Sequence, residues 1–160
     1  MLGGVMYASK ELMAALPNIH LIGVFITAST LVYGVRALYP LYTFVFLCGL
    51  FGGFNLWWVP YLYVWTVLWG AVMGGRRVPV KSRLRYPFLA LLCGLHGLLF
   101  GVLYAPFQAI VFGLNFQQTL AWIGAGLPFD VTHGISNLLC SLVLVYPLER
   151  LMKRAKKGGI

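Results

Sequence analysis

Asp130, His133 and Asn137 stand at i, i+3 and i+7, a spacing that puts a carboxylate, an imidazole and an amide on one face of a helix. Such a face can hold a polar molecule by hydrogen bonds, or trade protons between Asp130 and His133 as an acid–base pair. A second polar group lies near the amino end: Lys10 and Glu11 precede Pro17 by about two helical turns, and Asn18 and His20 follow it. A third group is aromatic, in WWVPYLYVWTVLWG. Trp57 and Trp58 open that segment, where an interfacial belt is the ordinary reading. Tyr61 and Trp65 are one turn apart and offer flat faces to a planar ligand, so Trp58, Tyr61 and Trp65 form a candidate stacking wall. His96, in LCGLHGLLFG, is either a buried, hydrogen-bonded histidine or a ligand at a cavity floor, the first being preferred. Three histidines on three separate segments are a weak metal signal, and no metal site is expected. Cys48, Cys93 and Cys140 lie in apolar stretches without CxxC spacing and read as packing residues.

The elements that position these groups must be built for lipid. The chain has 160 residues, 61% hydrophobic and 9% charged, with a mean hydropathy of +0.86. A soluble domain carries about 25% charged residues because its surface faces water. Polar punctuation cuts the sequence into six apolar spans, near 1–16, 19–35, 38–54, 57–74, 87–112 and 128–149. The fold class that follows is all-α: one polytopic domain over 1–160, with six transmembrane helices and both termini cytoplasmic. The first three spans are short for a hydrocarbon core of about 30 Å, which takes roughly 20 helical residues to cross.

Charge orients the bundle. Arg36 follows the second span; Arg76, Arg77, Lys81, Arg83 and Arg85 follow the fourth; Arg150, Lys153, Arg154, Lys156 and Lys157 follow the sixth. Every Lys and Arg except Lys10 therefore falls on one side of a six-span chain, and that side is cytoplasmic by the positive-inside rule. The formal net charge of +9 is thus a membrane feature and no sign of nucleic acid. On this topology Lys10, Glu11, Asn18, His20, Asp130, His133 and Asn137 all occupy the outer half. They line a cavity that opens outward, with Lys10, Glu11 and Asp130 as a charge network; the alternative is local pairing that merely satisfies buried ions and helix ends.

Segment 113–127 reads as an outer loop with a short interfacial helix anchored by Trp122, and Pro128 as the first turn of the last helix. Gly97, Gly101, Ala105, Ala109 and Gly113 repeat at fours, a face suited to close packing inside the bundle. Gly4 and Ala8 make one such step on the first helix, where a partner-facing surface is as good a reading as internal packing.

The segments SKELMAALPNIHL, WWVPYLYVWTVLWG and GLPFDVTHGISN, in that order on a six-span chain of this length, resemble an energy-coupling factor transporter S component. The resemblance implies the substrate-binding membrane subunit of an importer, which captures a vitamin or related micronutrient at the outer face of a prokaryotic cell membrane. It implies as partners a transmembrane coupling subunit and two cytoplasmic ATPases, which use the ATP; no cofactor is bound by this chain. Carried over by position, substrate contacts fall on Asn18 and His20, the Trp58–Trp65 stretch, and Asp130, His133 and Asn137. The alanine-rich AxxxA surface that meets the coupling subunit in that family has its nearest match here in Gly4 and Ala8. His20 stands where similar sequences often carry an acid. The chain holds no GxSxG, HExxH, Walker or CxxC sequence, so it is expected to bind rather than to catalyse. The competing readings are a proton-coupled carrier using Lys10, Glu11 and Asp130, and a small intramembrane enzyme using Asp130 and His133.

Overall fold

The computed structural model describes residues 1–158 and is all-α. The helices are α1 (Leu2–Leu12), α2 (Ile22–Tyr33), α3 (Leu38–Gly52), α4 (Tyr61–Gly75), α5 (Arg85–Leu98), α6 (Phe100–Phe112) and α7 (Phe116–Lys157). Three helical stretches, Ile22–Gly52, Ser82–Phe112 and Phe116–Lys157, are long and apolar enough to cross a membrane. That is the pattern of a multi-pass membrane protein. The outward faces agree: Ile110, Phe112, Val143 and Leu139 are all exposed, which suits lipid and not water.

The centre of the bundle is α2. Its residues Ile22 to Thr30 are buried without interruption, as a helix apolar all round must be when neighbours surround it. Those neighbours are α1, α4, α5 and α7. The hydroxyls inside it do not stay unsatisfied: Thr27 donates to the Gly23 carbonyl at 2.8 Å and Thr30 to that of Ile26 at 2.6 Å. The most extensive pairing is α5 with α7. Glycines allow it: a β-carbon on Gly97 would lie 2.9 Å from the His133 carbonyl oxygen, and one on Gly94 3.2 Å from that of Gly134. Gly97, Gly101 and Ala105 thus pack inside the bundle, as their four-residue spacing implies, but the face does not extend to Gly113, which is exposed with nothing within 4 Å because it ends α6.

Of the boundaries that differ from the sequence reading, four shape the bundle around the polar residues. The first helix stops at Leu12 instead of running to residue 16. Pro17 disfavours the helical region for the residue before it, and Asn18 takes the left-handed conformation at φ 60°, which Asn tolerates better than most residues. The fourth helix begins at Tyr61, so Trp57 to Pro60 form turns ahead of it. The fifth span is interrupted at Leu99, leaving α5 and α6 as separate helices.

The last difference is the largest. Segment 113–127 is no loop with a short interfacial helix, and Pro128 opens no helix. Gly113, at φ 63°, ends α6, and Asn115 starts α7 through a reciprocal capping box with Gln118, each bond 2.9 Å. That cap satisfies two N–H groups at the start, and the helix then runs unbroken through Pro128 for 42 residues, or about 63 Å. An internal proline forfeits one backbone bond and is tolerated in membrane helices whose neighbours support them.

Candidate functional site

A cavity of about 260 Å³ opens at one end of the bundle, where the residues after α1 turn back into α2. Lys10, Asn18, His20, Tyr61, Phe100 and His133 line it, so five elements meet there. The opposite end of α2 is the basic one: Arg76 reaches the Thr30 carbonyl at 3.5 Å and Lys156 that of Val32 at 3.4 Å. Asn18 is fixed on α7 by the Ser136 hydroxyl, which lies 3.2 Å from the Asn18 carbonyl and 3.0 Å from that of His133. This shared donor holds the turn carrying His20 against the face carrying His133. The two imidazole rings come to 4.7 Å between centroids. Trp65 underlies them at 5.7 Å from His20 and 6.4 Å from His133, and Phe100 packs edge-on to His133 at 4.9 Å.

Several polar atoms around this vault are buried without a hydrogen-bond partner among the described residues. They are His20 Nδ1, His133 Nε2, Trp65 Nε1, His96 Nδ1 and both amide atoms of Asn137. Leaving one buried donor or acceptor unmet costs roughly 1–3 kcal/mol, and native proteins rarely leave so many together. Such a set is what a polar ligand or ordered water would satisfy. His96 itself is half satisfied, because its Nε2 lies 2.9 Å from the Val64 carbonyl. That bond makes Nε2 the protonated nitrogen and turns Nδ1 into an acceptor. His96 is therefore a buried, hydrogen-bonded histidine and does not line the cavity.

The residues singled out in the sequence fall into three groups. Lys10, Asn18, His20, Tyr61 and His133 line the vault. Trp65 and Asn137 lie beneath it, only 1% and 0% exposed. Asn137 is wedged between two glycines: β-carbons on Gly23 and Gly97 would lie 3.3 Å and 2.9 Å from its amide. Glu11, Trp58 and Asp130 stand outside. Glu11 pairs with Lys10 at 2.8 Å, both side chains partly exposed at the mouth. Trp58 donates from its indole to the Val45 carbonyl at 2.7 Å, tying the turn before α4 to α3.

Asp130 does not join Lys10 in a charge network. Both of its oxygens lie 3.1 Å from the Gly101 N–H, which the interruption at Leu99 leaves without a helical partner. It acts as a cap for α6 supplied from a neighbouring helix. The shared face of Asp130, His133 and Asn137 is nonetheless real, since all three are buried on α7. Among the described residues no group of three or more His, Cys, Asp or Glu could hold a metal ion.

No family model, curated protein or solved structure matches this chain.

On α1, Gly3 faces α3, where a β-carbon would meet the Pro40 carbonyl at 2.7 Å, whereas Gly4 has nothing within 4 Å. Gly4 and Ala8 share the exposed face of that helix. Two features were missed in the sequence reading. Phe100 is one, a wall of the vault whose role depends on a helix interruption that no periodicity signals. Glu149 is the other: it is 1% exposed, with Lys153 at 2.7 Å, Arg85 at 3.9 Å and the Tyr86 hydroxyl donating at 3.0 Å. Its signal was present, as the single acid beside a run of basic residues.

Proposed function

We propose that this chain is the substrate-capture subunit of an energy-coupling factor importer, binding a small, flat, polar molecule of the vitamin class at the vault. The observation that carries the reading is the meeting of His20 and His133 at 4.7 Å over Trp65, with His20 Nδ1 and His133 Nε2 buried and without a partner among the described residues. A capture site needs such convergent polar groups in a largely apolar wall. The chain hands its ligand to a transmembrane coupling subunit, and two cytoplasmic ATPases supply the energy.

The same reading extends the three long apolar stretches to six passes with both termini in the cytoplasm. Supporting it, α1 and α3 run side by side, with Gly3 against Pro40 and Thr43 and Tyr7 stacked on Phe51 at 5.2 Å. Arg76 after α4 meets Gly34 after α2, and Glu149 on α7 meets Arg85 at the start of α5. These pairings gather the basic residues at one end and the vault at the other. Helices as short as α1, roughly 16 Å, cross where the bilayer thins around them. Binding is favoured over acid–base chemistry because the Asp130 carboxylate is hydrogen-bonded to the Gly101 N–H and makes no hydrogen bond to His133.

The test is uptake in proteoliposomes. This chain alone should accumulate none of its ligand, and uptake should begin when the coupling subunit, both ATPases and ATP are added. Full uptake by the chain alone would refute the reading.

A further inference from the structure

A second recess adjoins the vault and shares Tyr61 and Phe100 with it. It measures about 350 Å³, and Trp57, Tyr61, Phe100, Tyr104 and Trp122 surround it beside Asp130. All five aromatic residues are half-buried, so part of each side chain stays open to the recess. Their rings form a continuous chain, with centroids 5.5 Å apart from Trp57 to Tyr61, 6.4 Å to Phe100, 5.8 Å to Tyr104 and 6.5 Å to Trp122. The Tyr104 hydroxyl donates to the Trp57 carbonyl and so ties α6 to the turn before α4.

Asp130 is the recess's one acid, and it is 7% exposed. A carboxylate offers about four lone-pair sites, of which the Gly101 N–H occupies a shared position between the two oxygens. No Lys or Arg among the described residues pairs with it: the three ion pairs belong to Glu11 and Glu149. A buried anion without a cation is costly in a membrane protein. The faces of aromatic rings are themselves negative and attract a desolvated cation. Rings offer no lone pairs to a metal ion, and one carboxylate is too few ligands for one. They do offer broad apolar contact to alkyl groups.

We infer that this recess binds an organic cation, a quaternary or protonated amine, with its charge against Asp130 and its alkyl groups among Trp57, Tyr61, Tyr104 and Trp122. The inference rests on the capture reading and deepens it. The cation is the charged end of a substrate whose flat part lies in the vault, reached across the shared walls Tyr61 and Phe100.

The test is a tryptophan-fluorescence titration of the full chain in mild detergent, with choline and its neutral isostere 3,3-dimethyl-1-butanol as probes. Choline should quench saturably, and the alcohol should bind about tenfold more weakly or worse. Asp130→Asn should weaken choline by a similar factor. Because that change also touches the start of α6, Trp122→Leu is the companion variant: it leaves the Gly101 bond in place and should weaken choline several-fold, with unchanged elution and melting temperature. Equal binding of the two probes, or no saturable choline binding by correctly eluting protein, overturns the inference. Should that happen while partner-dependent uptake of a neutral ligand is found, the capture reading stands and only the cation falls. Choline binding without any partner-dependent uptake sinks the capture reading instead.

Discussion

Replacing His133 with phenylalanine separates a binding role from a structural one. The ring is preserved, so the contacts with His20 at 4.7 Å, Phe100 at 4.9 Å and Trp65 at 6.4 Å can persist. What disappears are the two ring nitrogens, of which Nε2 is buried without a partner among the described residues. Removing an unmet polar atom relieves roughly 1–3 kcal/mol in the ligand-free protein. The added ring bulk consumes part of that gain, and the cavity beside His133 limits how much. His133→Phe should therefore melt at or above the parent temperature in the same detergent. Ligand binding should move the other way. Losing one hydrogen bond costs about 0.5–1.5 kcal/mol, which is about two- to twelvefold in Kd. Thermal melting and calorimetry with the identified ligand read the two effects separately. A variant that loses more than about 2 kcal/mol of stability yet binds as the parent does would show that His133 holds the fold and that the site lies elsewhere.

Gly97→Val should destabilise the α5–α7 contact by about 1–3 kcal/mol, since its β-carbon would sit 2.9 Å from the His133 carbonyl and 3.0 Å from the Gly134 α-carbon; a lowered melting temperature checks it. Glu149→Gln should lower the melting temperature by an amount corresponding to about 1–3 kcal/mol, less than a fully buried pair would, because Arg85 and Lys153 are about half exposed. Gly4→Leu should leave melting and ligand affinity unchanged, there being nothing within 4 Å, while reducing co-purification with the coupling subunit. Single cysteines placed at Ser82 and Gly158 should resist an impermeant reagent in intact cells, and ready labelling of either would refute the cytoplasmic assignment.

Periodicity made much of this architecture legible. The all-α class, the positions of α2 and α3 to within three residues at each end, and the common face of Asp130, His133 and Asn137 all follow from helical spacing in a lipid-facing chain. The glycine steps at 97 and 101 announced close packing because their spacing is a local property. Features set by tertiary partners stayed hidden. The Leu99 interruption leaves the Gly101 N–H to Asp130, a partner far along the chain. The unbroken α7 overrode a proline that reads locally as a helix start, because the Asn115–Gln118 cap had already begun the helix upstream. His20 and His133 meet through a turn held by the Ser136 hydroxyl, and no spacing rule connects residues so far apart. Charge alone points Asp130 toward Lys10, whereas its carboxylate takes the Gly101 N–H.

Native mass spectrometry of the chain, purified in mild detergent from cells grown in rich medium, shows whether the vault captures a ligand. One small-molecule adduct is expected, released chemically unchanged and depleted in His133→Phe protein of equal melting temperature. Protein that carries no adduct after exposure to such a medium, or an adduct retained in full by His133→Phe, would contradict capture at the vault.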